Sequence, residues 1–198
     1  APLGSRDAGS ICPPSRDGRI RVLSVSRVDQ NKRVHEIAAA VRSLAESGIP
    51  VTWKHIGDGH LFESLVNLSS ESVVGSLRTE LPGWLSHETV LASIRSGPWD
   101  VFVNFSLSEG APVSLMEAQS AGVPCVASSV CGTGEVLDES LDELLDPRTS
   151  VVELRDAIHR AALRSSHLRN LRRQRWSRLY DANKNARVLV DRMLGLVA

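Results

Sequence analysis

The stretch from Asp100 to Ser128 restricts the fold of this chain more than any other. It opens with Val101 to Phe105, an apolar run too short for a helix and rich in β-forming residues, the pattern of a buried parallel strand. A polar bend, Ser106 to Pro112, follows. Val113 to Ala121 then places apolar residues at helical spacing, and Gly122 with Pro124 supplies the stop. Pro124 to Ala127 reads as the next strand. Strand, bend, helix, strand is one βαβ unit, and such units build a parallel sheet covered on both faces.

The same grammar recurs on either side. Ile20 to Val25 is a strand candidate and Ser26 to Arg33 a bend. Val34, Ile37, Ala38, Val41, Leu44 and Ala45 then trace a helical face ended by Gly48. Val51 to Ile56 is a second strand, and Gly57-Asp58-Gly59 marks its end before a helix over Leu61–Leu68. Leu68 to Leu77 is Ser-rich and shows no firm period. Arg78 to Leu81 reads as a short strand, with Pro82 arguing against a fully paired central place. Ser86 suits the N-cap of a helix from Glu88 to Ile94. Leu144–Leu145 is a last short strand and Val151 to Ala162 an amphipathic helix. The fold expected is α/β, a Rossmann-like parallel sheet of four to six βα units with helices on both faces. Residues 1–18, rich in Pro, Gly, Ser and Asp, read as a linker. Residues 19–165 form the main domain and 166–198 carboxyl-terminal helices.

Composition removes several classes of function. The formal net charge is zero, so no global field favours nucleic acid or an acidic substrate. Cys12, Cys125 and Cys131 are odd in number and lack CxxC spacing, which fits reduced thiols and a cytoplasmic setting. The six His are scattered, without HExxH or a Cys/His cluster, and no Asp-x-Asp pair offers a metal–diphosphate handle, so no metal is expected. No signal peptide is visible, nor an apolar run near ~18 residues that could span a membrane. Arg160 to Arg178 is arginine-rich with Leu, Trp176 and Tyr180 interleaved. It reads as a solvated helical face, and a second reading is peripheral contact with an anionic membrane surface. Glu135 to Asp146 likewise reads as a solvated acidic face.

Candidate chemistry gathers at two bends. At the start of the 113–121 helix, the backbone N–H groups of Gly110, Ala111 and Val113 and the helix dipole make an anion site without any basic side chain. Pro112 has no N–H and suits the first helical position. Glu109 lies at the strand's carboxyl end, and Glu117 lies one turn beyond Val113. A carboxylate beside an anion site makes sense where it accepts from neutral hydroxyls, as a sugar supplies. The alternative is a turn residue and a solvated helix residue. At the 26–33 bend, Arg27 and Lys32 put two cations at a strand's carboxyl end, where a fork and a point charge could grip phosphate. The alternative there is an exposed basic loop. Arg33 reads as solvent-facing, Trp84 as core, and His55 and His60 as packing or surface residues.

The glutamate segment carries a resemblance. Glu109-Gly-Ala-Pro-Val-Ser-Leu-Met-Glu117-Ala, with Ser120-Ala-Gly-Val-Pro124, resembles the paired-glutamate signature of retaining family 4 glycosyltransferases of GT-B fold. The resemblance implies that Glu109 sits near the donor sugar and Glu117 binds the ribose of a UDP- or GDP-sugar. Arg27 and Lys32 resemble that family's diphosphate-binding pair. Gly57-Asp58 and Gly83-Trp-Leu85-Ser86-His-Glu88 resemble segments bordering the nucleotide and its base. The family commonly has two glycines where this chain has Cys131 and Gly132. Lys32-Arg33-Val34 and Trp53-x-His55-Ile56-Gly57 look closest to enzymes building cell-surface polysaccharide.

The activity implied is transfer of a hexose from a nucleoside diphosphate sugar, with retention and without a cofactor, by a protein whose amino-terminal acceptor domain is missing from this chain. Alone, the chain is expected to fold and to lack transfer activity. Pro2-Leu3-Gly4 looks like the end of an interdomain crossover, or else Ala1 to Ser5 is a tag remnant. Two other readings stand: a module that binds nucleotide without turnover, and another GT-B enzyme such as a sugar-nucleotide epimerase. A phosphorylase would need a pyridoxal-phosphate lysine motif, and none is visible.

Overall fold

A computed structural model describes residues 4–70, 75–164 and 167–195. The readings placed on Pro2-Leu3 and on the 165/166 boundary lie outside these residues. Six parallel strands form one sheet: β1 (Ile20–Val25), β2 (Val51–Ile56), β3 (Leu77–Gly83), β4 (Val101–Asn104), β5 (Cys125–Ser128) and β6 (Glu143–Leu145). Their order across the sheet is β3-β2-β1-β4-β5-β6. The chain thus moves outward on one side of β1, then returns to start again at β4. The carboxyl ends of β1 and β4 flank that switch, where open α/β sheets leave a crevice for ligands. β3 is an edge strand, as Pro82 required.

Helices α1 (Val34–Glu46), α2 (Phe62–Ser70), α3 (His87–Ser96), α4 (Val113–Ser120), α5 (Thr133–Val136), α6 (Val151–Ala162), α7 (His167–Leu179) and α8 (Ala182–Met193) complete the described fold. Successive strand residues point to opposite faces, which divides the core in two. Val22 packs with Val34, Ile37 and Val41 of α1 and with Leu154 and Ile158 of α6. Leu23, its neighbour in sequence, packs on the other face with Ile94, Leu115, Met116 and Trp176. Helix α4 is buried from Leu115 through Ser120, polar residues included, because it is enclosed by the sheet, α3 and α7. The four-residue α5 had no counterpart in the sequence reading.

The arginine-rich stretch is only in part a solvated face, and this corrects the reading made from charge alone. Arg172 is wholly buried, with Nε 2.8 Å from Asp142 Oδ1 and Nη2 donating to the Leu141 carbonyl. Arg169, also buried, donates to the Cys12 and Trp99 carbonyls at 3.0 and 2.8 Å. Arg173 bonds Asp7 at 2.8 Å, and Arg160 and Arg164 both hold Glu143. These five guanidiniums are engaged by the protein's own groups, while Arg178 is exposed. Asp142 is buried as well, so the acidic stretch 135–146 is only partly a solvated face.

The amino-terminal segment, read as linker, runs along the domain. Ser5 N–H donates to the Tyr180 carbonyl, Ala8 N–H to Ser120 Oγ and Cys12 N–H to the Ala121 carbonyl, each at 2.9 Å.

Candidate functional site

The loops that follow β1 and β4 are stitched together at the switch point. Leu107 N–H donates to the Asn31 carbonyl at 2.8 Å, and Asn31 Nδ2 donates to the Ser108 carbonyl at 3.0 Å. This pairing brings Lys32 and Glu109, 77 positions apart in sequence, to 2.6 Å between Nζ and Oε1. Asn104 Nδ2 also donates to the same carboxylate at 3.1 Å, and Ser106 Oγ lies 2.6 Å from it. Burial alone would raise the Glu109 carboxyl. Lys32, Ser106 and Asn104 outweigh it and hold it below the usual range.

Arg27 reaches outward, with 79% of its side chain exposed, and leans on Asp29 through Nη2 at 2.7 Å. Asp29 was missed from the sequence. Its other oxygen accepts from the Lys32 N–H at 3.0 Å, so one buried carboxylate shapes the bend and orients its outer cation. Arg33 corrects another expectation. It is not solvent-facing: it adopts φ 48° just before α1, pairs with Glu36, donates to the Pro147 carbonyl and stacks 4.0 Å above the Phe105 ring.

Helix α4 starts at Val113, directly after Pro112, which caps it without a side-chain acceptor. A Cβ at Gly110 would meet open space, so the loop's backbone is accessible there. Behind it the loop is tight: a Cβ on Gly132 would stand 2.0 Å from the Gly110 carbonyl oxygen. Cys131, where a glycine was the family pattern, takes a left-handed φ of 41°. The backbone thus keeps a glycine-like conformation at a strain of about 1–2 kcal/mol.

Glu117, one turn into α4, is buried with 4% of its side chain exposed, which excludes a solvated helix residue. Its Oε1 lies 2.5 Å from Nε2 of His87, the first residue of α3. Burial pushes the Glu117 carboxyl up, and His87 offsets part of that rise. Ser86 does cap α3, accepting from the Thr89 N–H at 3.3 Å.

A cleft of about 180 Å³ lies beside these loops, lined by Val25, Ser26, Arg27, Ile56, Gly57, Asp58, Trp84, Leu85 and Val90. Trp84 is not core. Its indole is 74% exposed on the rim of this cleft. The floor depends on Gly57 at φ 147°, where a Cβ would stand 1.8 Å from the Ser26 carbonyl oxygen. Gly59 is similarly pressed against Val28. The Gly-Asp-Gly turn is therefore a backbone contact surface between the ends of β1 and β2. Below it, His55 is buried with Nδ1 2.9 Å from Ser24 Oγ, and burial lowers its pKa to about 4.

The structure therefore brings Lys32, Glu109, Gly110, Ala111, Pro112 and Val113 to one side of the switch point, while Arg27, Gly57, Asp58 and Leu85 line the cleft. Among the described residues no group of three or more His, Cys, Asp or Glu is placed to hold a metal ion. A larger groove of about 730 Å³ lies between α7 and α8, with Arg173, Gln174, Lys184 and Val188 in its walls. It takes no residue from a strand end.

The amylovoran biosynthesis glycosyltransferase AmsK of Erwinia amylovora is 28% identical over 134 residues, covering 65% of this chain and 32% of that protein. The UDP-Gal:alpha-D-GlcNAc-diphosphoundecaprenol alpha-1,3-galactosyltransferase of Escherichia coli is 31% identical over 97 residues, covering 46% and 22%. The chain spans about a third of the length of the first curated relatives it matches. Among solved structures, the lipopolysaccharide outer core galactosyltransferase WaaB superposes with a TM-score of 0.76 at 24% identity, over 98% of this chain and 55% of that one. Anabaena HepE in complex with UDP gives 0.74 at 17% identity, over 90% and 49%. Residues 13–177 match the family model described as glycosyl transferases group 1, well over half of the chain, and the chain belongs to that family.

Proposed function

We propose that the chain is the donor-binding half of a retaining hexosyltransferase that uses a nucleoside diphosphate sugar to build a cell-surface polysaccharide or glycolipid. The observation that carries the reading is the meeting of Lys32 and Glu109 at the switch point, beside the amides that open α4. A cation, helix-terminal N–H groups and a carboxylate side by side suit a ligand that joins an anion to neutral hydroxyls. A sugar nucleotide is such a ligand.

In this reading the diphosphate lies across Arg27, Lys32 and the Gly110, Ala111 and Val113 amides. As the bond from the sugar's C1 to the diphosphate oxygen breaks, its electron pair goes to the leaving diphosphate, and those fixed donors stabilise the charge. Glu109 accepts from hexose hydroxyls and Glu117 from ribose hydroxyls. The base enters the cleft between Gly57-Asp58 and Trp84-Leu85, where the exposed indole supplies a stacking face. No metal or cofactor takes part. UDP is the first nucleotide to try, because a matched relative is named for UDP-Gal and a superposed structure holds UDP.

Calorimetric titration with UDP-, GDP- and ADP-sugars, repeated in excess EDTA, tests this. Saturable binding of one sugar nucleotide, unchanged by EDTA, is expected. Failure of all three, or a tenfold loss on chelation (~1.4 kcal/mol), would overturn the reading. The chain's short span of its relatives favours a second reading for the isolated domain, binding without turnover. A transfer assay on these 198 residues separates the two.

A further inference from the structure

The geometry points to His87 as the positioning residue for Glu117: its imidazole N–H fixes the carboxylate's orientation and keeps it ionised as an acceptor. This rests on the reading of Glu117 as a ribose acceptor. A carboxyl group accepts from hydroxyls most strongly when it is ionised and held in one orientation. Left alone in its site, Glu117 would satisfy neither condition. Its side chain is almost wholly buried, which favours the neutral acid. A protonated carboxyl offers one oxygen as a donor and loses much of its strength as an acceptor.

The structure supplies the remedy from another element. Ser86 caps α3 in extended conformation, which fixes the position of His87 in the first turn. That turn meets α4, and Nε2 comes 2.5 Å from Glu117 Oε1. One oxygen is thereby tied and Oε2 is left to meet a ligand. The imidazole is half exposed, whereas its partner is almost wholly buried. Other charges near α4 are already engaged. Arg169, Arg172 and Arg173 of α7 hold backbone carbonyls, Asp142 and Asp7 respectively. Glu109, before α4, is held by Lys32, and Glu88 is the next charge along α3.

A merely structural contact and this arrangement differ in their pH dependence. The first readout needs no ligand: the carbon-13 shift of the Glu117 carboxyl, followed from pH 4 to 8 in wild type, His87→Ala and His87→Gln. The midpoint should move up by one unit or more in His87→Ala and return most of the way in His87→Gln, whose amide restores an N–H donor. The second readout is affinity for UDP-glucose, whose diphosphate does not titrate between pH 6 and 8. Wild type and His87→Gln should vary little. His87→Ala should lose affinity as the pH falls from 8 to 6, because a buried carboxyl without its N–H donor takes up a proton more readily.

An unmoved Glu117 midpoint in His87→Ala overturns the proposal, and a moved midpoint with an affinity profile parallel to wild type overturns the ribose assignment. Glu117→Gln isolates the underlying reading. If that variant binds UDP-glucose as wild type does while the His87→Ala midpoint still shifts, the ribose assignment fails and the dyad stands. If Glu117→Gln binds weakly and His87→Ala leaves the midpoint unmoved, only the positioning role fails.

Discussion

Lys32 and Glu109 form a 2.6 Å ion pair across the two loops that border the switch point, so each is the other's counter-ion before any ligand arrives. A diphosphate entering this site must draw Lys32 away from a carboxylate. Glu109→Gln removes that competitor and should tighten free UDP, by up to about tenfold for a partly buried pair. The same substitution should weaken a UDP-sugar relative to UDP, since the hexose loses a charged acceptor worth about 1.5–3 kcal/mol. Titration of both ligands against wild type and variant gives the comparison. Equal changes for the two would refute a hexose role for Glu109.

The exposed indole of Trp84 makes a separate prediction. Trp84→Ala should leave thermal stability within about 0.5 kcal/mol of wild type, as for an exposed side chain away from the core. It should cost about 1–3 kcal/mol in nucleotide affinity if a base stacks there. Ribose 5-phosphate, which has no base, should bind both proteins alike. A loss of stability with no loss of affinity would return Trp84 to a packing role.

Much of this architecture was legible in the sequence, for a physical reason. Short stretches rich in apolar and β-branched residues, bounded by bends, mark strands, so β1 and β2 fall on the expected residues. The glutamate segment was legible because strand, glycine bend and helix are local. Contacts between distant loops left no such trace. Asp29, Asn104, Ser106 and His87 act through partners set by the fold, and no period announces them. Arg172 misled for the same reason: a guanidinium looks equally solvated in sequence whether it meets water or Asp142. Trp84 misled in the opposite sense, because aromatic bulk suggests burial and the cleft keeps it exposed.

His55 sets a pH window for stability. Its folded pKa of about 4 lies below the ordinary value of 6.5, so the unfolded chain binds the extra proton first. Stability from this group is complete above about pH 6.5 and is lost as pH falls towards 4, by about 3 kcal/mol in all. Urea midpoints at pH 7, 5.5 and 4 should fall more steeply for wild type than for His55→Gln, which cannot titrate. Parallel lines would show that other groups carry the acid sensitivity.

Cys131 offers a gain. Its left-handed backbone suits glycine, so Cys131→Gly should stabilise the protein by about 0.5–1 kcal/mol once the greater freedom of glycine in the unfolded chain is counted. Gly132→Ala, with the Gly110 carbonyl in the way, should destabilise and also disturb the loop before α4. Thermal melts of the two variants should therefore move in opposite directions.

Helix α7 decides where this protein can be cut. Removing everything from residue 167 onward would strip Arg172 from Asp142, Arg169 from the Cys12 and Trp99 carbonyls, and Trp176 from Ser5. Those contacts, with the apolar surface that Trp176 covers, are a large share of what holds a domain of this size together. A fragment ending at β6 and α6 would keep all six strands and every loop of the proposed site, yet it would have lost the clamp that closes one face of its own sheet. Seen from the domain's back, the helix is a latch: residues 5–12 and 169–182 fasten each other, and the proposed nucleotide cleft stands on the body they shut.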